Sequence, residues 1–416
     1  MTVVGVDRPG ATDIAPGLFY GWVVVGAAFT VLFLAYGVQY AFGLFFTALT
    51  AEFGWSRASL SGVFSLYAGT YSFLGMVSGR LTDRWGPRRV VALGGLLLGT
   101  GLALSGVVGS LAPLYATYFV AAAGMSTAYV PCTSTVVRWF WARRGLAVGL
   151  AMSGAGLGIF ACPPLVALLL ARVGWRAAYV VLGAGLGLAL GALALLFVRD
   201  PAARGLEPYG GVPPEARAGE PAAAAWPVRR VLRHPSFAAL AGVYFATWIP
   251  VFMPVVHLVP LSRDLGLAPV VGATALSALG MGSLAGRFGM GAISDLIGRR
   301  AAIGTALALQ AGAFAALALV RGAPGLLAAA AAWGFAYGAV TALMPAIVSD
   351  FFGPAHAGTL VGVIFGIAGP TSAVGPLLGG WVFDATGSYA WAFGAAAALN
   401  LVALGLLSLA RPPRQA

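Results

Sequence analysis

An apolar run of membrane-crossing length, near 20 residues, recurs twelve times along this chain, and no soluble fold absorbs such a pattern. The runs lie near 19–48, 57–79, 89–110, 113–138, 145–171 and 176–198, then 237–261, 270–292, 300–320, 324–348, 358–383 and 389–410. In hydrocarbon a helix satisfies its own backbone polar groups, so each run is predicted to be a transmembrane helix. Charged residues make up 9% of the sequence, against about 25% in soluble domains, and the mean hydropathy is +0.91. The expected fold class is an all-α polytopic membrane protein with 12 transmembrane helices. Sixty glycines suit helices that approach closely where lipid supplies no hydrophobic drive between them.

The chain has no lysine, so all 24 basic residues are arginine. Eighteen fall in segments assigned to the cytoplasm. Five fall outside (Arg57, Arg172, Arg176, Arg263 and Arg321), and one, Arg287, falls within the membrane. This is a positive-inside bias. With an even number of spans it places both termini in the cytoplasm of a cell (plasma or inner) membrane. It also accounts for the net charge of +12, so the lipid bilayer rather than nucleic acid is the expected partner. Cys132 and Cys162 lie in apolar spans and are expected as free thiols. The first run is too long for a signal-peptide core and is expected to stay as an uncleaved span.

Residues 200–235 break the pattern with Pro201, Pro208, Pro213, Pro214, Pro221 and Pro227 and with Arg229, Arg230 and Arg233. They read as a linker, giving a tail over 1–18, a six-helix bundle over 19–198, a cytoplasmic linker over 199–236, a second bundle over 237–410 and a tail over 411–416. The halves repeat. Gly79-Arg80-Leu81-Thr82-Asp83-Arg84-Trp85-Gly86-Pro87-Arg88-Arg89 returns as Gly291-Ala292-Ile293-Ser294-Asp295-Leu296-Ile297-Gly298-Arg299-Arg300, at an offset of 212 (295 − 83). Gly145, Gly149, Gly156, Pro163 and Gly174 return as Gly358, Gly362, Gly369, Pro376 and Gly387, at an offset of 213 (387 − 174). Two like-folded halves imply a site between them at mid-membrane.

Arg287 is the residue on which a functional reading turns. It lies about two thirds of the way along 269–300, with no acid before Asp295. A charge there costs roughly 2.5–3.5 kcal/mol on the insertion scale and is kept where it faces a cavity or an anion. Its planar fork matches a carboxylate. The alternative is a structural bond to backbone carbonyls.

The repeated G-x-x-x-D-x-x-G-x-R-R pattern resembles the signature of the major facilitator superfamily, which implies two pseudo-symmetric six-helix bundles. Asp83 and Asp295 sit at helix ends, with Arg84, Arg88 and Arg89 and with Arg299 and Arg300 close by. Together with Arg143 and Arg144 they are expected to form a latch between neighbouring helices that breaks when the carrier reopens. Plain positive-inside anchoring is the alternative. Arg138-Trp139-Phe140-Trp141-Ala142-Arg143-Arg144-Gly145-Leu146-Ala147-Val148-Gly149, with Tyr20-Gly21-Trp22 opening the first span, is similar to stretches of the monocarboxylate transporter family. The resemblance extends to its bacterial relatives, including the oxalate:formate antiporter group. It implies transport of a small monocarboxylate of the lactate or pyruvate type, commonly with a proton, and it maps carboxylate contacts onto Arg287, Tyr129 and Tyr337. For the two tyrosines, ordinary helix packing is the alternative.

The family pattern is not complete. Tyr40 stands where animal members carry a lysine, and Ser283 stands where they carry an acid one turn before the helix-8 arginine. Residues 358–380 lack the second cation of the antiporter. One fixed positive charge suits a monoanion. The twelve acids all fall in tails, loops or span ends, so a proton would have to use the substrate carboxylate with Arg287, or His257 in the seventh span; a packed neutral histidine is the favoured reading of the latter. Tyr36 and Tyr40, and Tyr244 and Trp248, share helix faces at four-residue spacing. Helices 1 and 7 line the cavity in this superfamily, so these four are candidate pocket walls, with lipid- or core-facing packing as the alternative.

No metal-ligand set, Walker loop or cofactor motif is present, and neither an enzyme nor a cofactor is expected. The leading expectation is a monomeric, proton-coupled monocarboxylate symporter working by alternating access. An organic-anion exchanger of the oxalate:formate type or an efflux carrier of amphiphiles stands second. A membrane sensor or scaffold stands third, disfavoured by a tail of only a few residues after Ala410.

Overall fold

The computed structural model describes residues 19–211, 227–352 and 357–412. The expected tail over 1–18, residues 413–416 of the expected tail over 411–416, Pro213, Pro214 and Pro221 of the linker, and the side chain of Arg144 lie outside the described residues.

Helices account for nearly all of the described chain. In order they are α1 (Tyr20–Tyr40), α2 (Phe42–Phe53), α3 (Arg57–Trp85), α4 (Pro87–Ser105), α5 (Leu111–Trp139) and α6 (Arg144–Ala194). After the linker come α7 (Val228–Leu232), α8 (Pro235–Trp248), α9 (Met253–Asp264), α10 (Pro269–Ile297), α11 (Arg299–Leu319), α12 (Ala323–Phe352), α13 (Ala357–Ala368), α14 (Val374–Thr386) and α15 (Ala390–Leu409).

Ten helical stretches among the described residues are long and apolar enough to cross a bilayer. One of them, Gly145–Ala194, holds two crossings, because Gly174 at φ 74° and ψ 169° breaks the helix. The remaining crossing is α5, 29 residues long, whose serines, threonines and tyrosines dilute its hydropathy. Together these make the twelve expected spans of a multi-pass membrane protein.

The internal repeat is visible in the backbone. Gly86 ends α3 at φ 81°, ψ 157°, and its counterpart Gly298 ends α10 at φ 87°, ψ 146°. Both lie in the positive-φ region that a side chain disfavours, which explains why glycine recurs there. The first span of each half is broken midway: α1 and α2 part at Ala41, and α8 and α9 part at residues 249–252, around Pro250. Such interrupted helices at a repeat interface are a hallmark of carrier folds.

Glycines set how closely the helices pack. A Cβ on Gly282 or Gly286 of α10 would collide with the carbonyl oxygens of Ala331 and Phe335 on α12. A Cβ on Gly334 or Gly338 of α12 would collide in turn with those of Leu279 and Ser283. In the first half, Gly154 and Gly158 of α6 meet the Phe29 and Phe33 carbonyls in the same way. Asn400 accepts a 2.7 Å bond from Thr247 on α8, tying the last span to the seventh.

Candidate functional site

Two arginines organise the interface between the halves. The first is Arg287, carried by α10 and pressed toward α12 by the glycine interlock. No carboxylate pairs with it, and its Nε has no hydrogen-bond partner among the described residues. One turn earlier, the buried Ser283 hydroxyl is also unpartnered. Tyr36 of α1 and Tyr129 of α5, both partly exposed, lie within electrostatic reach of the guanidinium, as Tyr337 of α12 does of both tyrosines. Four helices from two halves thus converge on one unneutralised cation.

Aromatic rings close this cluster on one side. Tyr337 stacks on Trp333 at 5.2 Å and lies 6.3 Å from Trp248, which meets Phe365 at 5.7 Å. Tyr40 donates a 3.3 Å bond to the Tyr337 hydroxyl and is fully buried, whereas Tyr129 is 37% exposed. The cluster is therefore covered at Tyr40, while Tyr129 keeps an exposed edge. Tyr244 departs from the expected pocket wall. It is fully buried, its hydroxyl bonds the Val340 carbonyl at 3.1 Å, and it serves packing between α8 and α12. Gln39 is buried too, with both amide atoms unpartnered; it sits near the Tyr71 hydroxyl without forming a well-aligned bond.

The second arginine, Arg57, starts α3 at the opposite, far end of the molecule. Its guanidinium grips Asp264 of α9 through two bonds of 2.6 Å, donates to the Tyr389 hydroxyl at 2.7 Å and lies 3.6 Å over the Phe383 ring. The backbone N–H groups of Arg57 and Ala58 donate to Asp384 of α14 at 3.0 and 2.7 Å, so a carboxylate of one half caps a helix of the other. His257 continues the cluster. It contacts Tyr389 at 3.1 Å, the Pro376 carbonyl at 2.9 Å and Ser61 at 3.4 Å. Gly380 lets α14 come up to the Arg57 carbonyl, and Gly379 leaves room for the imidazole; a Cβ there would sit 2.8 Å from the ring. The broken first spans meet here as well, with Gly43 of α2 against the Val255 and Val256 carbonyls and Tyr40 6.2 Å from Phe252.

The expected latch takes a different form. Asp83 pairs with Arg138 of α5 at 2.5 Å, and no ion pair joins Arg84, Arg88, Arg89 or Arg143 to a carboxylate among the described residues. In the second half Arg299 binds Asp295 at 2.5 Å and approaches Asp350 at 3.7 Å, while Arg300 bonds the Ser408 carbonyl. Every one of these ties lies within a half. The reason is geometric: the basic partner within reach of each motif acid is the one closing the fourth span or the one in the neighbouring turn. The ties between halves are made at the far end by Arg57, Asp264, Asp384 and Tyr389. Sequence reading sorted these residues by side of the membrane and did not join them; the available signal was a cation and two acids at span ends on one side, in a chain with twelve acids.

The family-like stretches also find a structural use. Tyr20 meets Trp139 at 5.5 Å, Trp22 meets Phe140 at 4.8 Å, and both stretches pack around Phe19 and Tyr209.

The family described as Major Facilitator Superfamily matches residues 28–259 and, again, 236–416. Monocarboxylate transporter 13 of Bos taurus is 31% identical over 391 residues, covering 93% of this chain and 88% of its own. Oxalate:formate antiporter of Oxalobacter formigenes is 28% identical over 361 residues, covering 86% of this chain and 84% of its own. Among solved structures, a bacterial homolog of the human lysosomal transporter Spinster, in an inward-facing and occupied conformation, superposes with a TM-score of 0.73 at 16% identity, over 95% of this chain and 97% of that one; this likeness bears on the fold alone.

Proposed function

From the premise that this chain belongs to the Major Facilitator Superfamily and is a membrane transporter, we propose that it carries small monocarboxylates of the lactate or pyruvate type together with a proton, by alternating access. The observation that carries this reading is Arg287: a mid-span guanidinium that, among the described residues, has no carboxylate partner and an unpartnered Nε, with hydroxyls from Tyr36 and Tyr129 nearby. An arginine left unneutralised at that depth is costly. An incoming carboxylate supplies the missing charge and accepts from the fork and from the phenols. Trp248 and Tyr337 offer an apolar surface for the rest of the molecule.

The alternating-access reading assigns the halves to residues 19–198 and 237–410, with the linker and both termini in the cytoplasm of the cell membrane and the far end outside. In that orientation the clamp around Arg57 serves as the outer gate, in its closed form. A single fixed cation favours a monoanion over a dianion such as oxalate, which would keep one charge unmatched in a low-dielectric site. Among the described residues no acid pairs with Arg287, so the cotransported proton is carried by the substrate carboxylate against Arg287 or by His257 at the gate.

The test is uptake of labelled lactate and pyruvate into proteoliposomes, with and without an inward acid step. Saturable uptake that rises with the step is the expected result. Absence of saturable uptake of either acid would overturn the substrate class, and uptake indifferent to the step would remove the proton.

A further inference from the structure

We infer that His257 is a proton-operated release for the far-end clamp. Such a release presupposes the proton-coupled carrier proposed above but no particular cargo.

The hydrogen-bond directions in the clamp follow from what each partner can do. The Pro376 carbonyl, 2.9 Å from Nε2, can only accept, so Nε2 carries the hydrogen and Nδ1 is left with a lone pair. Tyr389, 3.1 Å from Nδ1, therefore donates its O–H to the ring and offers its oxygen to Arg57, whose Nη1 stands 2.7 Å away. Donation runs one way along this row, from Arg57 to Tyr389 to His257 to Pro376.

A proton on Nδ1 breaks this order. Tyr389 then meets donors on both sides, and its own hydrogen loses the acceptor it had at Nδ1. The charged groups around the ring do not repair the loss. Arg57, from α3, repels an imidazolium. Asp264, on the helix of His257 itself, is held by two bonds to Arg57, and Asp384, from α14, is held by the Arg57 and Ala58 amides. The other neighbours are uncharged: Ser61 of α3, the Tyr389 hydroxyl and the Phe46 ring of α2 at 5.8 Å. The closed clamp fully buries the ring, so an imidazolium there lacks water as well as a carboxylate at Nδ1. Opening supplies the water.

The sign follows by linkage. The closed clamp accommodates the neutral ring, whereas a hydrated imidazole takes up a proton near about pH 6.5. Opening is therefore accompanied by proton uptake, so acid on the far side favours opening and alkali favours closure. A carrier built this way loads its proton at the step that admits the cargo.

The experiment places spin labels on Val107→Cys and Arg321→Cys, in exposed far-end turns of opposite halves, and measures their separation in nanodiscs without cargo; the native thiols are buried. Moving from about pH 7.5 to about pH 5.5, across the histidine range, should raise the long-distance population of the parent about threefold or more. His257→Gln, whose amide donates to Pro376 and accepts from Tyr389 but cannot charge, should stay short at both values. Tyr389→Phe should lose the pH response, and Asp264→Asn should open at both, showing that the labels report the clamp. An acid response in His257→Gln equal to that of the parent, or a parent that does not respond while Asp264→Asn opens, would overturn the release. Because no acid cargo is present, either result is readable whether or not lactate proves to be transported.

Discussion

Arg57 and Arg287 are the same residue type in one interface, and the protein treats them in opposite ways. Arg57 receives a bidentate carboxylate, a phenol and an aromatic face, all from the other half. Arg287 receives no carboxylate among the described residues and keeps an unpartnered Nε. The comparison teaches where the protein completes its own electrostatics and where it leaves them for a visitor. A cation satisfied across the interface holds two halves shut. On the reading proposed above, a cation left without a carboxylate between them is where the anion binds.

The largest expected effect comes from removing the unsatisfied charge. Arg287→Gln should lower lactate uptake in proteoliposomes by roughly 30- to 4,000-fold, the range for losing one partner of a desolvated charged pair, with the protein still folded by size-exclusion and thermal melting. Arg287→Lys should recover little, because a point charge does not reproduce the fork. Uptake equal to the parent in both variants would end the distinction between the two arginines.

Breaking the satisfied charge should act differently. Arg57→Ala frees Asp264 and uncovers Phe383, so the far end should open in the absence of cargo. Crosslinking between the far-end turns should fall, and concentrative uptake should drop by about tenfold, while counterflow exchange, which tolerates a biased gate, should suffer less. Equal loss in both assays would place Arg57 with cargo binding instead.

A smaller step separates the two regions at their boundary. Tyr40→Phe removes the 3.3 Å bond to Tyr337 that roofs the central cluster. A neutral hydrogen bond contributes about 0.5–1.5 kcal/mol, so the apparent KM should rise at most about tenfold with little change in maximal rate.

The smallest effect is expected at the linker end. The Asp83–Arg138 pair stays within one half, and the Asp83 side chain is 64% exposed. Exposed pairs contribute about 0.2–1 kcal/mol, so Asp83→Asn should change uptake less than about fivefold. A larger loss would mean that the motif pairs govern opening after all.

Much of this arrangement was legible in the residues. Span length and apolar composition are local properties, so the twelve crossings followed from them. The repeat was readable because Gly86 and Gly298 answer the same backbone demand at the same place in each half. Arg287 stood out because a charge in a long apolar run has no local excuse. The clamp was not legible, since Arg57 and Asp264 are 207 residues apart and their pairing depends on how two bundles lean together. Tyr244 misled for a related reason. Four-residue spacing with Trp248 fixes a shared helix face but not whether that face meets a void or, as here, the Val340 carbonyl.

The glycine interlock between α10 and α12 has one more bearing on the work of this molecule. Backbones that touch at four successive glycines slide little, so Arg287 and Tyr337 travel as one rigid jaw, while Tyr36 and Tyr129 ride on the opposing one. On the carrier reading proposed above, cargo seated between these jaws is gripped when they meet and released as they part, so the molecule it hauls also times the stroke.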